Sequence, residues 1–214
     1  MNVTKALIVD DHPFVLGGIA TILRSALDAE ILESCDAESG YRTFVNQHPE
    51  LVVTDISLPG ASGLELVRRI RNRDSDTKII VLSMYSDPQT VNRALEAGAD
   101  AFIAKTSAAE CLEQALTRVL SGHVYIDPDT SINCVANAAR PQKRSALDRL
   151  SAREYQLFVS FAKGMSAREI AAAYHISINT VGNHRRNIFR KLGVRSTIDL
   201  ALIAVGEGII EAAQ

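Results

Sequence analysis

Leu51-Val52-Val53-Thr54-Asp55-Ile56-Ser57-Leu58-Pro59-Gly60 is the stretch that decides the fold. Its first four residues are apolar or β-branched, the composition of a strand buried on both faces. An acidic residue closes the run, and Leu58-Pro59-Gly60 turns the chain before a helical period begins over about 62–73. A buried strand that ends in a carboxylate and feeds a helix is the repeating unit of a parallel α/β sheet.

The same unit recurs on either side. Strands read at 6–9, 30–34, 51–54, 78–82 and 101–104, with helices at about 13–27, 37–47, 62–73, 88–97 and 107–120. Ser107 and Glu110 have capping-box spacing at the start of the last helix. Five strands alternating with five helices predict a doubly wound parallel sheet, whose sites gather at the carboxyl ends of the strands. Past residue 125 the pattern fails: Asp127-Pro128-Asp129 signals a turn, and 139–144 is polar and interrupted by Pro141. The remainder is helical. Ser151 with Glu154 and Ser166 with Glu169 are two further capping boxes, and Gly164 and Gly193 stand where helices should end. The predicted organisation is an α/β domain over 1–125, a connecting stretch over 126–147, and a small all-α domain of four helices over 148–214.

Charge separates the two halves. Residues 1–125 hold 11 Lys/Arg against 17 Asp/Glu, whereas 140–195 hold 12 against 3, within a net charge of −2 for the chain. Only the second half is suited to a polyanion. No apolar run approaches the ~20 residues that cross a bilayer, and the short apolar stretch after Lys5 is too brief for a secretory signal. A cytoplasmic protein with no membrane partner is therefore expected. Cys35, Cys111 and Cys134 have no C-x-x-C spacing and read as buried, reduced thiols. His12, His48, His123 and His175 show no ligand spacing and take no role, and His184 reads as a half-buried helix histidine or a phosphate contact.

Polar residues collect on the predicted rim. Asp10 and Asp11 follow the first strand, Asp55 the third, Ser83 the fourth and Lys105 the fifth. Singly each has a bland explanation, a helix cap for the aspartates and solvated surface for the others. Jointly they supply a carboxylate nucleophile, oxygen ligands for a hard divalent ion, and an ammonium and a hydroxyl to meet a transferring phosphoryl group.

Over residues 4–122 these positions resemble the receiver domains of two-component signalling, which have a flavodoxin-like fold. The resemblance implies that Asp55 accepts the phosphoryl group and that Asp10, Asp11, Asp55 and the Ser57 carbonyl hold Mg²⁺. It makes Lys105 the phosphoryl-binding lysine, Ser83 the switch hydroxyl and Phe102 the switch aromatic, which turns inward when Ser83 moves. Thr106 departs from the proline common after the lysine.

From Leu150 to about Val205 the chain resembles the LuxR-type helix-turn-helix of the NarL/FixJ regulators. The resemblance rests on Leu150-Ser151-Ala152-Arg153-Glu154, on Gly164-Met165-Ser166 through Glu169-Ile170-Ala171, and on Ile176-Ser177, Thr180-Val181, Asn183-His184 and Arg190-Lys191-Leu192-Gly193-Val194. In the helix expected over 179–192, Val181, Ile188 and Leu192 share an inner face, and Asn179, Asn183, Arg186 and Arg190 share another. Asn and Arg can read adenine and guanine edges. Thr180 and Gly182 adjoin that face; Arg185, Lys191 and Arg195 are placed as phosphate anchors. Gly182 is a departure, since the family often has lysine there. In the last helix, 197–205, Ile198, Ala201, Leu202 and Val205 are expected inside, with Leu200 and Ala204 left over either for pairing of two copies or as scattered surface apolar residues.

The resemblance implies a phosphorylation-controlled transcription regulator and not an enzyme. Its expected partners are a sensor histidine kinase, promoter DNA and a second copy when active. A phosphohydrolase using Asp55 would want a second carboxylate close by, and Ser57 stands two residues on. A receiver acting only as a dimerisation module is the other alternative. Labelling by a phosphoryl donor separates the three.

Overall fold

A computed structural model describes residues 3–59, 61–131, 146–207 and 209–210. Gly60, Cys134 and most of the expected connecting stretch lie outside the described residues. The chain divides into two compact units, Met1–Ala136 and Asn137–Gln214.

In the first unit β1 (Lys5–Val9), α1 (Pro13–Ala26), β2 (Glu30–Ser34), α2 (Ala37–Gln47), β3 (Leu51–Asp55) and α3 (Gly63–Arg71) follow the predicted order. They are succeeded by β4 (Lys78–Ser83), α4 (Pro88–Ala97), β5 (Ala101–Ala104), α5 (Ala108–Leu120) and β6 (Tyr125–Ile126). All pairings are parallel, in the order β2-β1-β3-β4-β5-β6. Among the described residues the sheet therefore has six strands, one more than expected. The sixth is two residues long, too short to set up a readable period. Its pairing partner is β5, with Tyr125 opposite Ala101 and Ile126 opposite Phe102.

Register explains why one rim collects the polar residues. Val9 lies opposite Thr54, Asp55 opposite Leu82, and Ser83 opposite Ala104, so these strand ends are level. The strands between are apolar and closed to solvent, with Leu7, Ile8, Val53 and Ile80 fully buried. Asp36, Ser62 and Asp87 cap α2, α3 and α4 by accepting from backbone N–H groups. The capping box expected at Ser107 and Glu110 does not form. A 3₁₀ turn, Lys105–Ser107, precedes α5, and the Ser107 hydroxyl donates instead to the Ala104 carbonyl at 3.2 Å.

The second unit comprises a short 3₁₀ turn, Ala146–Arg149, followed by α6 (Ala152–Ala162), α7 (Ala167–Ala173), α8 (Ile178–Leu192) and α9 (Thr197–Gly206). Both expected capping boxes close, at Ser151–Glu154 and Ser166–Glu169, and a third forms at Ser196–Asp199. Leu157, Phe158, Ile170, Val181, Ile188, Leu200 and Ala204 build the core. The expected facing of α9 is inverted: Leu200 and Ala204 are fully buried, while Ile198 and Leu202 are 70% and 67% exposed. That helix is apolar nearly all round, so its sequence period does not select a face. Cys35 corrects another expectation, being exposed beside Asp36, whereas Cys111 is buried. No helix among the described residues is long and apolar enough to cross a membrane.

Candidate functional site

The rim of the first unit forms a charged pocket. The Lys105 ammonium stands 2.7 Å from Asp55 Oδ2 and 2.7 Å from Asp10 Oδ2, joining the ends of β1, β3 and β5. Asp10 and Asp55 are each 1% exposed. Burying such charges is tolerable because each has a partner of opposite sign. Burial raises the Asp55 pKa and Asp10 adds to the rise, while the Lys105 charge opposes it. Burial alone would lower Lys105, but Asp55 and Asp10 overcome it and hold the ammonium above its usual pKa. The remaining Asp55 oxygen, Oδ1, accepts the Ser57 N–H at 3.0 Å.

Asp11 and His12 complete the cluster. One ligand atom from each of Asp10, Asp11, His12 and Asp55 lies within 4.8 Å of the others. Three carboxylates against one ammonium suit a hard divalent cation better than a soft one, because the donors are oxygens. His12, given no role from the sequence, approaches Asp11 Oδ1 at 2.8 Å and Asp10 Oδ1 at 3.1 Å through Nδ1. Its position directly after two aspartates at a strand end was the available signal.

Ser83 on the rim and Phe102 within β5 are both fully buried. Ser83 Oγ accepts the Tyr85 N–H at 3.0 Å. Phe102 is already inside, so the expected inward turn is not a movement left to make in this conformation. Gly63, which sequence reasoning passed over, shapes the pocket from below. A Cβ there would fall 1.8 Å from the Asp55 carbonyl oxygen. Only glycine lets α3 pack this close to the end of β3.

The second unit presents α8. Asn179, Asn183, Arg185, Arg186 and Arg190 are exposed, Thr180 and Gly182 partly so, while Val181 and Ile188 anchor the inner face. On the outer face Asn183 accepts from Arg186, and Asn187 accepts from Arg190 at 3.1 Å. Ser177 caps the helix through the Thr180 N–H, and the Ser177 and Thr180 hydroxyls are 2.8 Å apart. Arg185 lies over the Phe189 ring, 5.0 Å from its centroid.

Lys191, expected as a phosphate anchor, has an intramolecular partner here. Its ammonium meets Glu154, whose other contacts close the capping box of α6, so this lysine ties α8 to α6. His184 is partly buried, and burial with the nearby Arg153 charge lowers its pKa. That favours the neutral imidazole packed against its own domain.

Residues 6–117 match the family model described as response regulator receiver domain, and 148–204 match bacterial regulatory proteins, luxR family. The chain is 34% identical over 210 residues to the transcriptional activator protein ExaE of Pseudomonas putida, covering 97% of this chain and 98% of ExaE. It is 31% identical to the response regulator GacA of Pseudomonas aeruginosa, covering 98% and 99%. Among solved structures, it resembles RcsB of Salmonella enterica serovar Typhimurium bound to promoter P1flhDC in the presence of the phosphomimetic BeF3−. The TM-score is 0.64 at 26% identity, covering 96% of this chain and 100% of that one.

Proposed function

The chain belongs to the two-component response regulators that join a receiver to a LuxR-type DNA-binding domain, and we propose that Asp55 is the residue through which phosphorylation controls it. The carrying observation is the Lys105 ammonium held at 2.7 Å from both Asp55 and Asp10 on one rim. The domains are assigned as a receiver over 1–125, a linker over 126–147 and a helix-turn-helix domain over 148–214, with β6 carrying the receiver's sheet one residue past its boundary and the 3₁₀ turn Ala146–Arg149 beginning the second unit two residues before its own.

Asp10, Asp11 and Asp55, with the Ser57 carbonyl, would hold Mg²⁺, and the donor set described above fits such an ion. When bound, the ion offsets negative charge on the transferring phosphoryl group. A sensor histidine kinase is the assigned donor. An Asp55 carboxylate oxygen bonds to phosphorus as the phosphorus–nitrogen bond of the donor's phosphohistidine breaks, and the imidazole leaves with that electron pair. Lys105 balances charge on the phosphoryl oxygens, and the Ser83 hydroxyl turns to donate to one of them. Phe102, inside the sheet beside Ile126, senses the repacking.

Promoter DNA is the assigned ligand of α8. Asn179, Asn183, Arg186 and Arg190 face base edges, with Thr180 and Gly182 beside them, and Arg185 faces phosphate. A homodimer is the assigned active form, and the exposed Ile198, Leu202 and Val205 of α9 are its pairing stripe. The protein works in the cytoplasm as a regulator rather than an enzyme.

The test is intact mass after incubation with acetyl phosphate and Mg²⁺. One added phosphoryl group, lost in Asp55→Asn and with EDTA, supports the reading. A folded wild-type protein that stays unlabelled overturns it.

A further inference from the structure

We propose that Asp127 is a positioning residue that connects the phosphoryl pocket to the chain leaving the receiver. The proposal rests on the reading of Asp55 given above and adds the route by which its modification is felt at the linker.

Asp127 is a fully buried carboxylate immediately after β6. Its two oxygens hold two different parts of the backbone. Oδ2 accepts the Ala104 N–H at 2.9 Å, and Oδ1 accepts the Thr130 N–H at 3.0 Å. Its own N–H donates to the Phe102 carbonyl at 3.2 Å, and its carbonyl accepts the Ser131 N–H at 2.9 Å. One side chain therefore fastens the end of β5 to the short helical turn at 128–131 with which the chain departs. A buried carboxylate is costly unless such donors satisfy it, so neither bond is lost without penalty.

The place it grips matters. Ala104 precedes Lys105 in sequence and lies opposite Ser83 across the sheet. The Asp127 carboxylate therefore grips the residue that pairs with Ser83 and that precedes the lysine whose ammonium bridges Asp10 and Asp55. Asp127 itself follows the row of Val81, Phe102 and Ile126, and so stands level with Ile103. Phosphorylation converts the Asp55 carboxylate that Lys105 now holds into an acyl phosphate, so Lys105 re-pairs with phosphoryl oxygens and the Ser83 hydroxyl gains one of them as an acceptor. A shift of either moves the Ala104 amide, and the Asp127 carboxylate passes that shift to residues 128–131. The two bonds make a two-state element, in which the grip on one backbone changes with the position of the other.

The experiment is pulsed hydrogen exchange on the full chain, with and without acetyl phosphate and Mg²⁺, with intact mass read in parallel. In the wild type, labelling should change exchange in the peptide spanning 124–131 by about tenfold, the factor that one charge-assisted hydrogen bond commands. Asp127→Ala should take up the same phosphoryl mass but show equal exchange in both states. Asp127→Asn, which keeps one acceptor oxygen and guards against misfolding, should be labelled and show a reduced change. A labelled wild type whose 124–131 peptide does not respond overturns this proposal alone. So does a labelled Asp127→Ala that keeps the full response, since Asp127 would then be only a helix cap. A wild type that takes up no phosphoryl group overturns the reading of Asp55 and this proposal with it.

Discussion

Replacing Gly63 by alanine reverses the usual sign of a glycine-to-alanine change. At the first turn of a helix, alanine normally stabilises by about 0.5–1 kcal/mol through lower chain entropy in the unfolded state. Here the new methyl would meet the Asp55 carbonyl oxygen at 1.8 Å, the Asp55 carbonyl carbon at 2.8 Å and Ile56 Cα at 3.1 Å. Ordinary contact begins at 3.4 Å, so α3 and the end of β3 must separate by well over an ångström. That movement breaks the 2.9 Å bond from Gly63 N–H to the Ile56 carbonyl and disturbs the Ser62 cap. The hydrogen bond and the cap are worth about 1 kcal/mol each, and forced overpacking adds about 1–3. A destabilisation of about 3–5 kcal/mol follows, a large share of a domain's typical ~5–15. Urea unfolding of the full-length protein reads it, and acetyl-phosphate labelling should fall in the same variant because the acceptor strand is displaced. Gly17→Ala and Gly18→Ala are the controls: nothing lies within 4 Å of either new methyl, so both should stabilise. A Gly63→Ala protein that unfolds within about 1 kcal/mol of wild type and labels normally would refute the clash.

Lys105→Ala leaves Asp10 and Asp55 buried without their shared cation, at a cost of about 3 kcal/mol at neutral pH. Because the folded-state pKa of Asp55 is already raised and loses its opposing charge, stability of this variant should increase as pH falls, measured by urea titrations at two pH values. In the second unit, burial would raise the Glu154 pKa, but Lys191 and Ser151 outweigh it and lower it. Glu154→Gln should cost about 1–3 kcal/mol near neutrality. That difference should be present above the ordinary glutamate pKa and vanish as acid takes the pH through the folded value, checked by unfolding at stepped pH. On α9, Leu200→Ala should lose about 2–4 kcal/mol of stability. Leu202→Asp should leave the thermal midpoint unchanged and weaken pairing, read by sedimentation of the phosphorylated protein.

Legibility in the sequence followed the strength of local physics. Runs such as Ala6-Leu7-Ile8-Val9 and Leu51-Val52-Val53 can hardly be anything but buried strands, and the acids that end them fall on one rim by topology alone. The pocket's ammonium and carboxylates were readable for that reason. What escaped required knowledge of a neighbour. Gly63 is special only because the Asp55 carbonyl lies over it, and Lys191 turns inward only because Glu154 waits on another helix. Ser107 fails as a cap since a 3₁₀ turn brings the Ala104 carbonyl within reach of its hydroxyl. α9 was read inside out because Ile198, Leu200, Leu202, Ile203 and Val205 surround the helix, and the face that packs is chosen by α6. β6 depends wholly on finding β5 beside it.

Among the described residues the order of strands leaves β2 and β6 as the two outer members of the sheet. An outer strand is a template on which a foreign strand can grow, and folds suppress this with charge or brevity. Both devices are used here. β2 turns Glu30 and Glu33 to solvent along its five residues, and β6 offers only Tyr125 and Ile126 before Asp127 bends the chain away. Strand-by-strand polymerisation of the receiver is thereby blocked at both ends. Association between copies is then left to helical surfaces, where it remains reversible.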